Sequence, residues 1–185
     1  MTTRPLIFSV VFATILGVTI FSGCMPVTPE LGPADGSYVG SSQTLEIRVT
    51  RRPEVEGPVP GAQYAFESRQ VGETQWRPIA TVRHDDWVDL PSNRIHFVDQ
   101  NTAYLSMCSL FAVTTDGGAR WHVWDAGKIA WSRGLVNYGL IESVAVSANG
   151  TGTMTLNELA VTRGGPHSAV TSDFGVTWLP ASTPN

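Results

Sequence analysis

A short pattern that occurs twice constrains the fold of this chain more than any other feature. A hydroxyl residue, an aspartate, a glycine and a tryptophan follow one another at the same offsets in both copies. An aspartate can accept hydrogen bonds from turn amides, and a glycine can adopt a positive φ. The tryptophan can then anchor the outgoing strand in a core. The pattern predicts two tight β-hairpins, with Thr114, Asp116, Gly118 and Trp121 in the first copy and Thr171, Asp173, Gly175 and Trp178 in the second.

The rest of the chain from residue 38 onward has the periodicity of strands rather than helices. Leu45, Ile47 and Val49 alternate with Glu46 and Arg48, which places the apolar side chains on one face. An Asn-Gly pair joins the last two predicted strands and predicts a type I′ turn. A loop is predicted at 51–61, which contains three prolines. The sequence therefore predicts an all-β fold of short antiparallel strands, with further strands at 95–98, 103–107, 110–113, 143–146 and 151–156.

The repeated pattern resembles the Asp box of bacterial-neuraminidase-type repeats and related β-propellers. A degenerate third copy is predicted from Ser68 to Trp76, with the aspartate replaced and one residue inserted. The resemblance implies that the boxes are structural turns, remote from any catalytic centre. Residues 38–185 have room for about three blades, whereas closed propellers have about four to eight. We therefore expect an incomplete propeller-like or sandwich arrangement that contains two Asp-box hairpins.

The amino terminus resembles a bacterial lipoprotein signal. Residues 6–21 are apolar, follow Arg4, and lead into Ser22, Gly23 and Cys24, as in a lipobox. This resemblance implies lipidation of Cys24 and, with methionine next, anchoring on the periplasmic side of the outer membrane. An ordinary secreted signal peptide or an anchor helix is the alternative. The predicted organisation is a signal peptide at 1–23, a lipidated cysteine with a Pro/Gly tether at 24–37, and a β domain at 38–185.

Charge and motif content argue against two function classes. The chain has 12 basic and 16 acidic residues, so it lacks the basic surface of a nucleic-acid binder. It contains no G-x-S-x-G, H-E-x-x-H or P-loop motif. His84 with Asp85 and Asp86 could hold a metal or transfer protons, or simply form a solvated loop. Cys108 is predicted to be buried and to act as a small apolar residue. We expect a non-enzymatic protein with no cofactor and no metal.

The combination of a lipobox and a short Asp-box β domain resembles small type VI secretion lipase-immunity lipoproteins. This resemblance implies a lipid-anchored domain that binds and blocks a secreted antibacterial effector. An envelope assembly factor, or a carbohydrate- or cell-wall-binding lipoprotein with a stacking row of Trp124, Trp131 and Tyr138, is the alternative. The candidate contacts with a protein partner are acidic or aromatic residues in predicted loops: Asp85, Asp86, Trp87, Asp89, Glu54 and Glu56.

Overall fold

The computed structural model describes residues 30–55, 61–84, 92–128, 141–158, 161 and 165–181. Over these ranges the chain is all-β, as the sequence predicts, and its strands form three separate four-stranded antiparallel sheets. In each sheet the strands follow one another in chain order, so each sheet is a meander. The helices in the described ranges are short 3-10 turns, and none is long and apolar enough to cross a membrane.

The strand bounds define the three sheets. The first sheet contains β1 (Gly36–Ser41), β2 (Leu45–Pro53), β3 (Ala62–Gln70) and β4 (Arg77–His84). The middle sheet contains β5 (Ile95–Phe97), β6 (Ala103–Met107), β7 (Leu110–Thr114) and β8 (His122–Asp125). The third sheet contains β9 (Ile141–Val146), β10 (Gly152–Leu156), β11 (Ser168–Thr171) and β12 (Leu179–Pro180).

The middle sheet is packed between the other two. Leu105 and Ala112 belong to a core shared with the first sheet, in which Ile47 and Phe66 are also buried. Tyr104 and Phe111, on the opposite face of the same strands, belong to a second core shared with the third sheet. Every residue of β6 and β7 is therefore buried. Strands covered on both faces show a continuous apolar run instead of alternation. Residues 110–113 of β7 form such a run, and in β6 the run is interrupted by the buried Ser106.

The loop predicted between the first two long strands differs from the structure at its start. The loop predicted at 51–61 begins later, because β2 continues to Pro53 and Glu54 bridges to Leu31. A proline at the end of a strand lacks an N–H, but its carbonyl still accepts a hydrogen bond, here from the Gly32 amide at 2.8 Å. Residues 56–60 of that predicted loop lie outside the described residues.

The hairpin at Asn149-Gly150 is present, but its turn is not type I′. Gly150 has φ +85°, whereas Asn149 has a negative φ, and a type I′ turn needs positive φ at both positions. The Gly150 amide donates to the Ser147 carbonyl at 3.0 Å, which closes a type I turn followed by a left-handed glycine. The Asn149 carboxamide oxygen accepts hydrogen bonds from Ser147 Oγ and from the Thr151 amide, and these bonds hold Asn149 in the ordinary conformation.

Candidate functional site

The first repeat closes the turn between β7 and β8 with its own side chains. Thr114 Oγ1 accepts a hydrogen bond from the Gly118 amide at 2.9 Å and donates one to Asp116 Oδ1 at 2.9 Å. The same carboxylate oxygen accepts from the Arg120 amide at 2.9 Å. The bond from Arg120 is the main reason that the pKa of Asp116 is lowered. The carboxylate is therefore engaged by the turn.

The second repeat forms the same turn between β11 and β12. Thr171 Oγ1 accepts from the Gly175 amide at 2.9 Å and donates to Asp173 Oδ1 at 2.7 Å. The Thr177 amide and hydroxyl donate to Asp173 at 2.9 and 2.6 Å. Burial opposes ionisation of Asp173, but the bonds from Thr177 and Thr171 outweigh it, so the pKa of Asp173 is lowered. The two copies share one hydrogen-bonding scheme.

The two tryptophans lie in different cores. Trp121 packs against the core between the first and middle sheets, and its Nε1 donates to Ser68 Oγ at 3.0 Å. Trp178 is 6% exposed and packs edge-on against Phe111, with ring centroids 5.3 Å apart. Its Nε1 is buried and makes no hydrogen bond within the described part of the chain. Each tryptophan thus fastens its hairpin to the preceding sheet.

The turn predicted as a third copy is present in position but not in chemistry. In every sheet the turn after the third strand donates a backbone N–H to the turn after the first strand: Val71 to Thr44 at 3.0 Å, Gly117 to Asn101 at 2.8 Å, and Phe174 to Gly150 at 2.8 Å.

Trp76, however, is not a core residue. The guanidinium groups of Arg48 and Arg69 both stack on its ring, each 4.4 Å from the ring centroid. These arginines hold the ring on the outer face of the first sheet.

That outer face carries paired charges. Arg48 Nε lies 2.9 Å from Glu67 Oε2. Arg69 pairs with Glu46, which lies opposite it on the neighbouring strand. Together with Trp76, which stacks on both arginines, these ion pairs form a polar outer surface at one end of the three-sheet stack. Charged cross-strand pairs of this kind are typical of a face that remains in water.

The outer face of the third sheet has the opposite character. Strand pairing aligns Ala145, Thr153, Val170 and Leu179 in one row across all four strands. Val170 is 39% exposed and Leu179 is 65% exposed. The neighbouring row contains hydroxyl side chains, namely Ser143, Thr155 and Ser168. We call these two uncharged rows the open face. The alternation of β9, β10 and β11 indicates this face, because neither of its two rows contains a charged residue. The exposed Glu142 of β9 lies outside both rows, where the register of β9 and β10 shifts.

The partner-binding candidates fall into two groups. Asp85, Asp86, Trp87, Asp89 and Glu56 lie outside the described residues, as does Cys24. Glu54 is described, and its carboxylate is only 3% exposed because it pairs with Arg83. Glu54 is therefore part of the first sheet's structure instead of the exposed contact that the sequence predicted.

The aromatic row expected for carbohydrate binding is not formed by described residues. Trp131 and Tyr138 lie outside them. Trp124 packs on Trp178, with ring centroids 6.3 Å apart, so it lies partly buried against the second core. Cys108 is buried in the turn between β6 and β7 and has φ +55°. Within the described ranges, no three His, Cys, Asp or Glu side chains come together as a metal site.

Comparison with known proteins gives no match for this chain, whether to a protein family, to a curated protein or to a solved structure.

Proposed function

We propose that this chain is a non-catalytic, lipid-anchored protein of the periplasmic face of the outer membrane, and that it binds and blocks a secreted antibacterial effector of the lipase type. The lipobox-like sequence ending at Cys24 supports the anchor. The open face of the third sheet supports protein binding. In this proposal the domain acts sterically, by covering the mouth of the effector's active site near the membrane that the effector attacks.

The contrast between the two ends of the stack is the observation that carries this proposal. The outer face of the first sheet carries two ion pairs and Trp76 beside the exposed Val39, whereas the two rows of the open face contain no charged residue and present Val170 and Leu179 to solvent. Exposed apolar residues surrounded by polar ones are typical of protein interaction sites. The formal net charge of −4 would favour encounter with a basic partner, because opposite charges accelerate association.

A capture experiment with matched variants tests the proposal. Tagged wild-type protein and the variants Val170→Glu and Val39→Glu are used to capture proteins secreted by the source bacterium. Val39 is a suitable control because it is 45% exposed and lies on the outer face of the first sheet. We expect wild type and Val39→Glu to retain one effector stoichiometrically, and Val170→Glu to lose it.

Toxicity decides whether the captured protein is an effector. The captured protein is exported alone in a susceptible strain and then together with the chain. We expect killing in the first case and protection in the second. Retention of an endogenous envelope complex that is not toxic would contradict the immunity role and favour an assembly factor.

A further inference from the structure

The second repeat contains a residue in a strained conformation. Phe174 has φ +63°, a region that is rarely populated by residues with a side chain. The equivalent position of the first repeat is Gly117, with φ +67°, where glycine adopts the same conformation without strain. Strained residues of this kind cluster at binding sites, where the surrounding structure holds them in place. Part of the Phe174 ring packs against the second core, and the rest of the ring remains accessible.

The ring of Phe174 lines a recess between the middle and third sheets. The recess has a volume of about 420 Å³, within the range of small-molecule pockets, about 300–1,000 Å³. The ring also lies against Gly150, where an added methyl group would approach it to 3.0 Å. The remaining lining residues are all polar and come from the β5–β6 turn and the first repeat: Asp99, Gln100, Asn101, Thr102 and Thr115.

Several polar groups of the recess are available to a ligand. Within the described part of the chain, the side chains of Asn101 and Thr115 make no hydrogen bond, and both residues are exposed. Asp99 uses Oδ1 to accept the amides of Asn101 and Thr102, each at 2.7 Å. Burial opposes ionisation of Asp99, but these bonds outweigh it and lower its pKa, so the group is a carboxylate at neutral pH. None of the lining residues is basic.

We propose that this recess binds an uncharged saccharide unit. A sugar ring presents C–H groups that pack on the electron-rich face of an aromatic side chain. Its hydroxyl or acetamido groups can donate to the Asp99 carboxylate and exchange hydrogen bonds with the Asn101 carboxamide and the Thr115 hydroxyl. The carboxylate, without a basic residue beside it, would repel an anionic sugar. This proposal does not depend on the effector-binding function, and its site differs from the row predicted around Trp124.

Saturation-transfer NMR on the full chain tests the proposal, with N-acetylglucosamine trimer, maltotriose and galacturonate trimer as probes. We expect transfer to at least one of the first two saccharides and none to the third. Phe174→Gly should abolish transfer. It should also fold normally, because glycine adopts this φ at Gly117 in the first repeat. Asn101→Ala should weaken binding about fivefold through the loss of one hydrogen bond.

Three outcomes would overturn the proposal: no transfer to either uncharged saccharide, equal transfer to galacturonate trimer, or unchanged transfer in Phe174→Gly with a native melting temperature. The Val170→Glu variant serves as a control, because it changes the open face and leaves the recess intact. If a variant loses effector capture and retains saccharide binding, or the reverse, the two proposed functions are independent of each other.

Discussion

The two repeats have the same turn, but their tryptophans have different polar environments. Trp121 donates to Ser68, which occupies the hydroxyl position of the turn in the first sheet. The residue at that position in the middle sheet is Thr114, whose hydroxyl is already engaged by Asp116 and Gly118. The loss of the aspartate from the first sheet's turn thus leaves a hydroxyl that can serve the next repeat. Trp178 has no such acceptor.

The bond between Trp121 and Ser68 can be measured with a double-mutant cycle. We expect Trp121→Phe and Ser68→Ala to couple by about 1 kcal/mol in the free energy of unfolding, because each removes one partner of a half-buried hydrogen bond. Chemical denaturation of the four proteins measures this coupling. A cycle of Ser68→Ala with Trp178→Phe is the control and should show additivity within about 0.5 kcal/mol. Additivity in the first cycle would contradict the assigned bond.

The turn aspartates predict how stability depends on pH. The pKa values of Asp116 and Asp173 are lower in the folded protein than the ordinary value of an aspartate side chain. A lowered folded pKa means that the carboxylates contribute stability above the unfolded pKa and lose it as the pH falls through the folded pKa. We therefore expect the unfolding free energy to fall below about pH 4.

Denaturation at a series of pH values checks this expectation. The variant Asp116→Asn with Asp173→Asn should show a shallower decline below about pH 4, because asparagine can keep an acceptor in the turn without titrating there. An unchanged decline in the double variant would assign the acid sensitivity to other groups.

At the scale of elements, local sequence patterns predicted six of the twelve described strands, and they failed where contacts distant in sequence determine the structure. Alternation in β2 and the apolar runs of β6 and β7 were sufficient to predict these strands. The position of Trp76 was not predictable, because it depends on arginines from two other segments of the first sheet. The recess was missed for the same reason: Asp99 and Phe174 are distant in sequence and meet only when the middle and third sheets pack.

The first repeat packs closely against β2, and substitutions at two glycines test how tight this packing is. Gly118 and Gly72 have nearly the same φ, +87° and +92°. A methyl group on Gly118 would lie 2.6 Å from Leu45 Cδ1 in the core, whereas one on Gly72 would meet nothing within 4 Å. Gly72→Ala should cost about 1–2 kcal/mol through backbone strain alone. Gly118→Ala should cost about 1–3 kcal/mol more through overpacking, as measured by denaturation. Equal costs would mean that the repeat is not tightly docked on β2.

At the scale of the whole molecule, the middle sheet joins the two cores. Among the described residues, the first and third sheets share no core, and they pack on opposite faces of β6 and β7. The charged outer face of the first sheet and the open face of the third sheet form the two ends of this stack. Terminal units with a polar outer face keep stacked repeats soluble. Among the described residues, only the first sheet has cross-strand ion pairs on the outer face of a terminal sheet. This asymmetry favours the third sheet as the binding end.

A stack that shares its middle layer should unfold as one unit. Leu105 and Phe111 are fully buried and lie on opposite faces of the middle sheet, one in each core. Leu105→Ala should cost about 2–5 kcal/mol and Phe111→Ala about 3–5 kcal/mol, since each leaves a cavity. Because β6 and β7 supply both cores, each variant should shift a single calorimetric transition that retains its two-state shape. A transition that splits in Phe111→Ala would show instead that the third sheet unfolds separately, and an effector bound to the open face would then stabilise only that part of the chain.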